Sequence, residues 1–254
     1  MPSKAPSYFE LEKQLAQITH LKHILLLAQW DAATMLAQGS AASRQKEMAT
    51  VAAILHKMLT AQEVGKLIEA ALHEEDRLDE WQRANLKAIK KAYEEAKCIP
   101  PEMQQAYSMV TGECEFIWRT ARKNNDFKQL APYLDRVFNM VRQIASIKAN
   151  HFKKAPYDIL LDTANPDFTT HSIQEIYAVL KAELPGLIQA IVAKQASEKV
   201  IPLPEKIDEA TQKAINLRII EKMGFSLAHG RLDESAHPFC RGSNDDIRLT
   251  TRSE

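Results

Sequence analysis

Glycine is scarce in this chain, with 7 residues in 254 against many Ala, Leu, Lys, Glu and Gln. That balance disfavours a turn-rich sheet fold and favours helices. Cysteine is scarcer: Cys98, Cys114 and Cys240 are odd in number and widely spaced, which excludes a disulfide framework and a Cys-x-x-Cys metal site. They read as ordinary thiols. Neither sign of charge dominates, since 33 basic residues balance 33 acidic ones. No net field draws the chain to nucleic acid or to an anionic membrane. No wholly apolar run is longer than Ile24 to Ala28, far short of the ~20 residues a membrane span needs, and no signal-peptide pattern opens the sequence. A cytoplasmic protein without a membrane or nucleic-acid partner is expected. Also missing are a Gly-rich phosphate loop, a Gly-x-Ser-x-Gly elbow and a Cys/His pair, so nucleotide and nucleophilic chemistry find no support.

What is present is 45% hydrophobic residues patterned for helices. The expected fold is all-α, an array of seven to eight mostly long amphipathic helices with a small β-hairpin near the C-terminus. Tyr8, Leu11, Leu15, Ile18 and Leu25 stripe a first helix from Ser7 to about Met35. Gly39 separates it from a second helix carrying Met48, Val51, Leu55 and Met58, and Thr60 with Glu63 forms a capping box for a third that ends near His73. The acidic stretch from Glu74 to Glu80 reads as a solvated loop or a fresh N-terminus. A fourth helix carries Leu86, Ile89, Tyr93 and Ala96 and stops at Pro100-Pro101. Fifth and sixth helices span about Glu102 to Lys123 and Ala131 to Lys154, and Asp162 to Phe168 reads as a loop. Thr169 or Thr170 starts a seventh helix, which Pro185-Gly186 should kink. The last helix runs from Pro204 or Glu205 to Met223, with Gly224 in the left-handed capping place. The chain divides at that point into a helical region, 1–224, and a terminal hairpin region, 225–254.

In the terminal region Asp246 to Arg252 alternates with a period of two. Ile247, Leu249 and Thr251 share one face, and Asp246, Arg248, Thr250 and Arg252 share the other, which predicts a half-buried strand with its polar face turned away from the helices. Gly242-Ser243-Asn244-Asp245 is turn chemistry, and Arg231 to Ala236 could supply the partner strand of a hairpin. Two readings stand. The polar face is a solvated surface, or it lines a peptide groove, where arginine pairs bidentately with carboxylates and an edge holds extended substrate.

Other candidates are weaker. His20 and His23 are three apart on the first helix but lack a third ligand nearby, and His73-Glu74 opens like a His-Glu-x-x-His zinc motif until Arg77 takes the second ligand's place. Met103, Tyr107, Met109, Phe116 and Trp118 on the fifth helix fit core packing better than a ligand pocket.

One longer pattern remains. Trp30-Asp31, Met35, Gly39-Ser40-Ala41 and Arg44, then Trp118-Arg119-x-Ala121-Arg122, Tyr157-Asp158-x-Leu160-Leu161-Asp162, Gly230-Arg231-Leu232-Asp233, His237-Pro238-Phe239 and Asp246-x-Arg248-x-Thr250 form a series. It resembles the N-terminal half of the Taq-type thermostable carboxypeptidases, a zinc-type metallopeptidase family. The resemblance implies a helical, cytoplasmic, homodimeric enzyme, roughly twice this length, that removes C-terminal residues from peptides with broad specificity, sparing proline. It further implies zinc or cobalt, held by two His of a His-Glu-x-x-His helix and a downstream Glu, with the motif Glu activating water. Those residues have no counterpart here, so this chain is expected to bind no metal and to be inactive alone. Only the two groove motifs carry over: His237, Pro238, Phe239, Asp246, Arg248 and Thr250 as substrate-binding residues for a peptide C-terminus. After Thr251-Arg252 the family continues with Tyr and an acidic residue, whereas Ser253-Glu254 stand here, so the sequence is expected to stop before the metal-binding helix. The alternative is a non-catalytic dimerisation or peptide-binding module derived from that enzyme.

Overall fold

The computed structural model describes residues 5–199, 201–202 and 206–253. Among them are nine α-helices: α1 (Pro6–Thr34), α2 (Ala41–Leu59), α3 (Gln62–Leu72), α4 (Glu80–Lys97), α5 (Pro101–Lys123), α6 (Phe127–Phe152), α7 (Pro156–Ala164), α8 (Thr170–Gln195) and α9 (Glu209–Lys222). Three strands follow, β1 (Gly230–Glu234), β2 (Cys240–Ser243) and β3 (Asp246–Thr251). The chain forms two compact units, Met1–Ile144 with Lys213–Glu254, and Ala145–Gln212.

In the first unit, Tyr8 and Leu11 of α1, Val64 and Ile68 of α3, and Leu86 and Ile89 of α4 form a buried core. Pro6 opens α1, where its missing N–H costs no hydrogen bond. The following amides are capped from a distance: the Glu74 carboxylate accepts from the Ser7 N–H at 3.0 Å, the Tyr8 N–H at 3.3 Å and the Ser7 hydroxyl at 2.9 Å. Glu74, expected as part of a solvated acidic face, is therefore a tertiary cap, with its negative charge at the positive end of the helix dipole. The Thr60–Glu63 capping box does not form. Thr60 closes α2 by donating its hydroxyl to the His56 carbonyl at 2.8 Å, and Ala61 precedes α3 with no side-chain cap. A capping box does form at α4, between Asp79 and Gln82.

In the second unit α7 is a helix that the sequence reading left out. Pro156 starts it, whereas the neighbouring prolines and asparagine suggested only a stop followed by a loop. Asp158 then accepts from the Thr170 amide at 2.7 Å and from the Thr170 hydroxyl, tying α7 to the start of α8, where Thr169 is the N-cap. Pro185 lies inside α8, which runs as one element through it. Most of α8 is exposed, and by length and composition alone it is apolar enough to cross a membrane, although polar residues break it into short apolar runs. The expected start of the last helix at Pro204 or Glu205 lies outside the described residues; α9 begins at Glu209, and Gly224 beyond its end adopts φ +86°.

The three strands are ordered β1-β3-β2. The hairpin expected between the 231–236 segment and β3 is corrected: β1 runs parallel to β3, and the hairpin is made by β2 and β3. Asn244-Asp245 form the turn of this hairpin, and Gly242 in β2 allows the close approach of the two strands beside it. The glycine's φ is +115°, and a Cβ there would lie 1.9 Å from the Asp246 carbonyl oxygen, so no side chain fits.

Candidate functional site

The registers bring the motif residues together. Arg231 of β1 and Arg241 of β2 both stand opposite Arg248 of β3, so three arginines lie abreast on one face of the sheet. Within its own strand Arg248 grips Asp246 with two hydrogen bonds, Nε at 2.5 Å and Nη2 at 2.8 Å. Arg231 grips Asp233 in the same way, with both bonds at 2.7 Å. The Arg248 guanidinium holds the Asp246 carboxyl below the usual carboxylate range, against the opposing effect of partial burial.

On β1 and β3 this face meets α1. Both guanidiniums lie over the indole of Trp30 near the end of α1, Arg231 at 5.0 Å and Arg248 at 4.7 Å from the ring centroid, and Trp30 is only 7% exposed. The expectation that the polar face points away from the helices is therefore corrected. A guanidinium is weakly hydrated and planar, so it can be buried against an aromatic ring while its carboxylate partner satisfies its donors. The opposite face is not free either: on β3 Thr251 receives a hydrogen bond from Asn216 of α9 at 3.3 Å.

Thr250 is buried and acts as a clasp. Its hydroxyl accepts from the Phe239 amide at 2.9 Å and lies 2.8 Å from the Ser235 hydroxyl, while its own amide donates to the Phe239 carbonyl at 2.9 Å. The Ser235 hydroxyl also donates to the His237 carbonyl at 2.8 Å. Through these bonds the Asp-x-Arg-x-Thr strand fixes the His237-Pro238-Phe239 turn. His237 and Pro238 are exposed and Phe239 half-buried. The His237 ring meets Trp118 of α5 edge-on at 6.3 Å.

Beside Arg248 an open cavity of about 530 Å³ lies between α1 and α2. Its walls include Ile24, Leu27, Met48 and Val51, and Asp31, Arg44 and Glu47 line its rim. Arg44 is bonded to the Asp31 carboxylate and, through Nε at 3.1 Å, to Glu47. On α5, Arg119 donates to the Ala32 carbonyl at 2.9 Å, satisfying an acceptor near the end of α1. Met109 and Phe116, assigned to core packing by their spacing, are exposed.

Asp246, Arg248, Thr250 and Phe239 are thus brought together, with His237 and Pro238 on the adjoining turn. Sequence reasoning missed the roles of Trp30, Arg231, Asp233 and Ser235. The mirrored spacings Arg231-x-Asp233 and Asp246-x-Arg248 were a signal for two of them. Among the described residues no group of three or more His, Cys, Asp or Glu side chains could hold a metal ion, so the residues here do not fit the metal centre that the resemblance implies.

A family model described as carboxypeptidase Taq (M32) metallopeptidase matches residues 10–254. Carboxypeptidase 1 of Bacillus subtilis is 26% identical over 96% of this chain and 48% of its own length. Thermostable carboxypeptidase 1 of Thermus thermophilus is 28% identical over 97% of the chain and 50% of its own. Among solved structures, metallocarboxypeptidase 1 of Trypanosoma cruzi superimposes with a TM-score of 0.82 at 31% identity, covering 97% of this chain and 50% of that one. The crystal structure of BsuCP gives 0.89 at 25% identity, covering 98% and 50%. The chain spans about half the length of the curated relatives it matches.

Proposed function

Because the chain belongs to the carboxypeptidase Taq (M32) metallopeptidase family, we propose that it is the peptide-binding half of an enzyme that releases C-terminal amino acids from peptides. The observation that carries this reading is the junction of the two groove motifs, in which Thr250 holds the His237-Pro238-Phe239 turn beside Arg248. Arginine donors and a rigid turn suit recognition of an extended peptide, with Asp246 and Trp30 holding Arg248 in one orientation.

In this reading hydrolysis belongs to the other half of the family architecture, where zinc or cobalt would be bound; residues 1–254 contain no His-Glu-x-x-His, and no catalytic step belongs to them. Cytoplasmic location and homodimeric assembly are part of the same proposal. Membrane insertion is not, because Lys181 and Glu183 lie mid-way along α8 and would be costly in a bilayer. The alternative of a non-catalytic module is not favoured, since the match to the enzymes runs along nearly the whole chain.

The experiment is an assay of blocked dipeptides. The chain alone, with zinc or cobalt added, should release no C-terminal residue. Fused to the corresponding C-terminal half of the Bacillus subtilis relative, it should release them in a chelator-sensitive manner. Release by the chain alone, or a folded, metal-loaded chimera that is inert, would reject the proposal.

A further inference from the structure

The three arginines abreast on the sheet are not equivalent. Arg231 is neutralised by Asp233 and Arg248 by Asp246, each through two hydrogen bonds. Arg241 is exposed, and among the described residues no carboxylate pairs with it. Its Nη1 donates to the Cys240 carbonyl at 3.2 Å, and its guanidinium lies over the Phe239 ring at 5.4 Å. Neighbouring strands are about 4.8 Å apart, so like charges directly opposite one another are unfavourable unless neutralised. Three guanidiniums and two carboxylates leave one positive charge on this row, and it resides on Arg241.

We propose that Arg241 is a carboxylate-recognising residue of the peptide site. The inference rests on the peptide-binding reading above but adds a residue that belongs to neither groove motif. The Phe239 ring supports the flat guanidinium on one face, and most of its N–H donors remain for a ligand. A planar fork with free donors matches a carboxylate bidentately. The turn that carries Phe239 is clasped by Thr250, so the support is fixed before a ligand arrives. The carboxylate is that of a peptide, either its C-terminus or an acidic side chain.

The test reads binding and needs no turnover. Three N-acetylated alanine tetrapeptides are titrated into the full chain: the free acid, its C-terminal amide, and the amide with one Ala replaced by Glu. Wild type, Arg241→Gln and Arg241→Lys are compared by calorimetry or NMR shifts. Wild type should prefer the free acid to the plain amide by about tenfold, the worth of one charge-assisted hydrogen bond. Arg241→Gln should lose that preference, and Arg241→Lys should restore part of it. A preference shown only by the Glu-containing amide would assign the carboxylate to a side chain and equally support the proposal. The thermal midpoint of Arg241→Gln should equal or exceed that of wild type, because a like-charge neighbour of Arg248 has gone. Equal binding of all three peptides by wild type, an undiminished preference in Arg241→Gln, or a lower midpoint in that variant would overturn it. Carboxylate preference through Arg241 together with an inert chimera would reject only the proposed enzyme half.

Discussion

Trp30 shows how one side chain can organise a charged surface. Its ring receives two guanidiniums, each already paired with an aspartate, so α1 and the sheet meet through stacked arginines at this point. Replacing Trp30 with Ala removes a large buried ring and leaves a cavity beneath both arginines. The expected loss is about 3–5 kcal/mol of unfolding free energy, measured from the denaturant midpoint. Asp246 gives a pH-dependent prediction. Its carboxyl is held below its ordinary value chiefly by the Arg248 hydrogen bonds, so the folded state binds this proton less readily than the unfolded chain. The associated stability is fully present above the unfolded value, about 3.9, and is lost as pH falls through the lower folded value. Acid titration followed by circular dichroism should therefore show a shallower loss of stability below about pH 4 for Asp246→Asn than for wild type. Identical acid limbs would mean that the pair contributes nothing measurable.

Among the elements, α1 depends on a residue far along the chain. Glu74 satisfies two amides of its first turn, so Glu74→Ala should cost about 1–2 kcal/mol and speed hydrogen exchange there, with the rest of α1 unchanged. Nothing in the local sequence could reveal this. A cap supplied from 67 residues away has no pattern in sequence, whereas Asp79 with Gln82 is a local box that has one. The same distinction explains the remainder. Long amphipathic helices, Pro101 at a helix start and Gly224 beyond a helix end are local signals and were legible. Strand pairing is not local: the alternation in β3 identified a strand and its two faces, but not that β2 pairs antiparallel with it across Asn244-Asp245 while β1 pairs parallel. Nor could periodicity show what covers the polar face, because alternation distinguishes two faces without naming their neighbours. The motif residues were legible by resemblance, and the unmatched Arg241 emerged only from the register.

For the molecule, the decisive fact is that a complete match to this chain uses only half of each relative. Within the described residues, α8 carries an apolar surface that nothing covers. Ile176, Leu184, Leu187, Ile188 and Ile191 recur at steps of three, four and eight along it, and all are exposed. Such a stripe normally faces a core or a partner, since isolated apolar residues are common on surfaces but a continuous helical face of them is not. Lys181 and Glu183 within the helix argue against lipid as its neighbour, which leaves protein. The chain by itself should therefore self-associate through α8. Sedimentation velocity should show a weight-average mass that rises with concentration. Leu184→Lys combined with Ile188→Lys should return the species to the monomer without loss of helical circular dichroism, because neither side chain belongs to a buried cluster. A wild-type chain that stays monomeric across micromolar concentrations would show that the exposed face of α8 tolerates water, and the double variant would then change nothing.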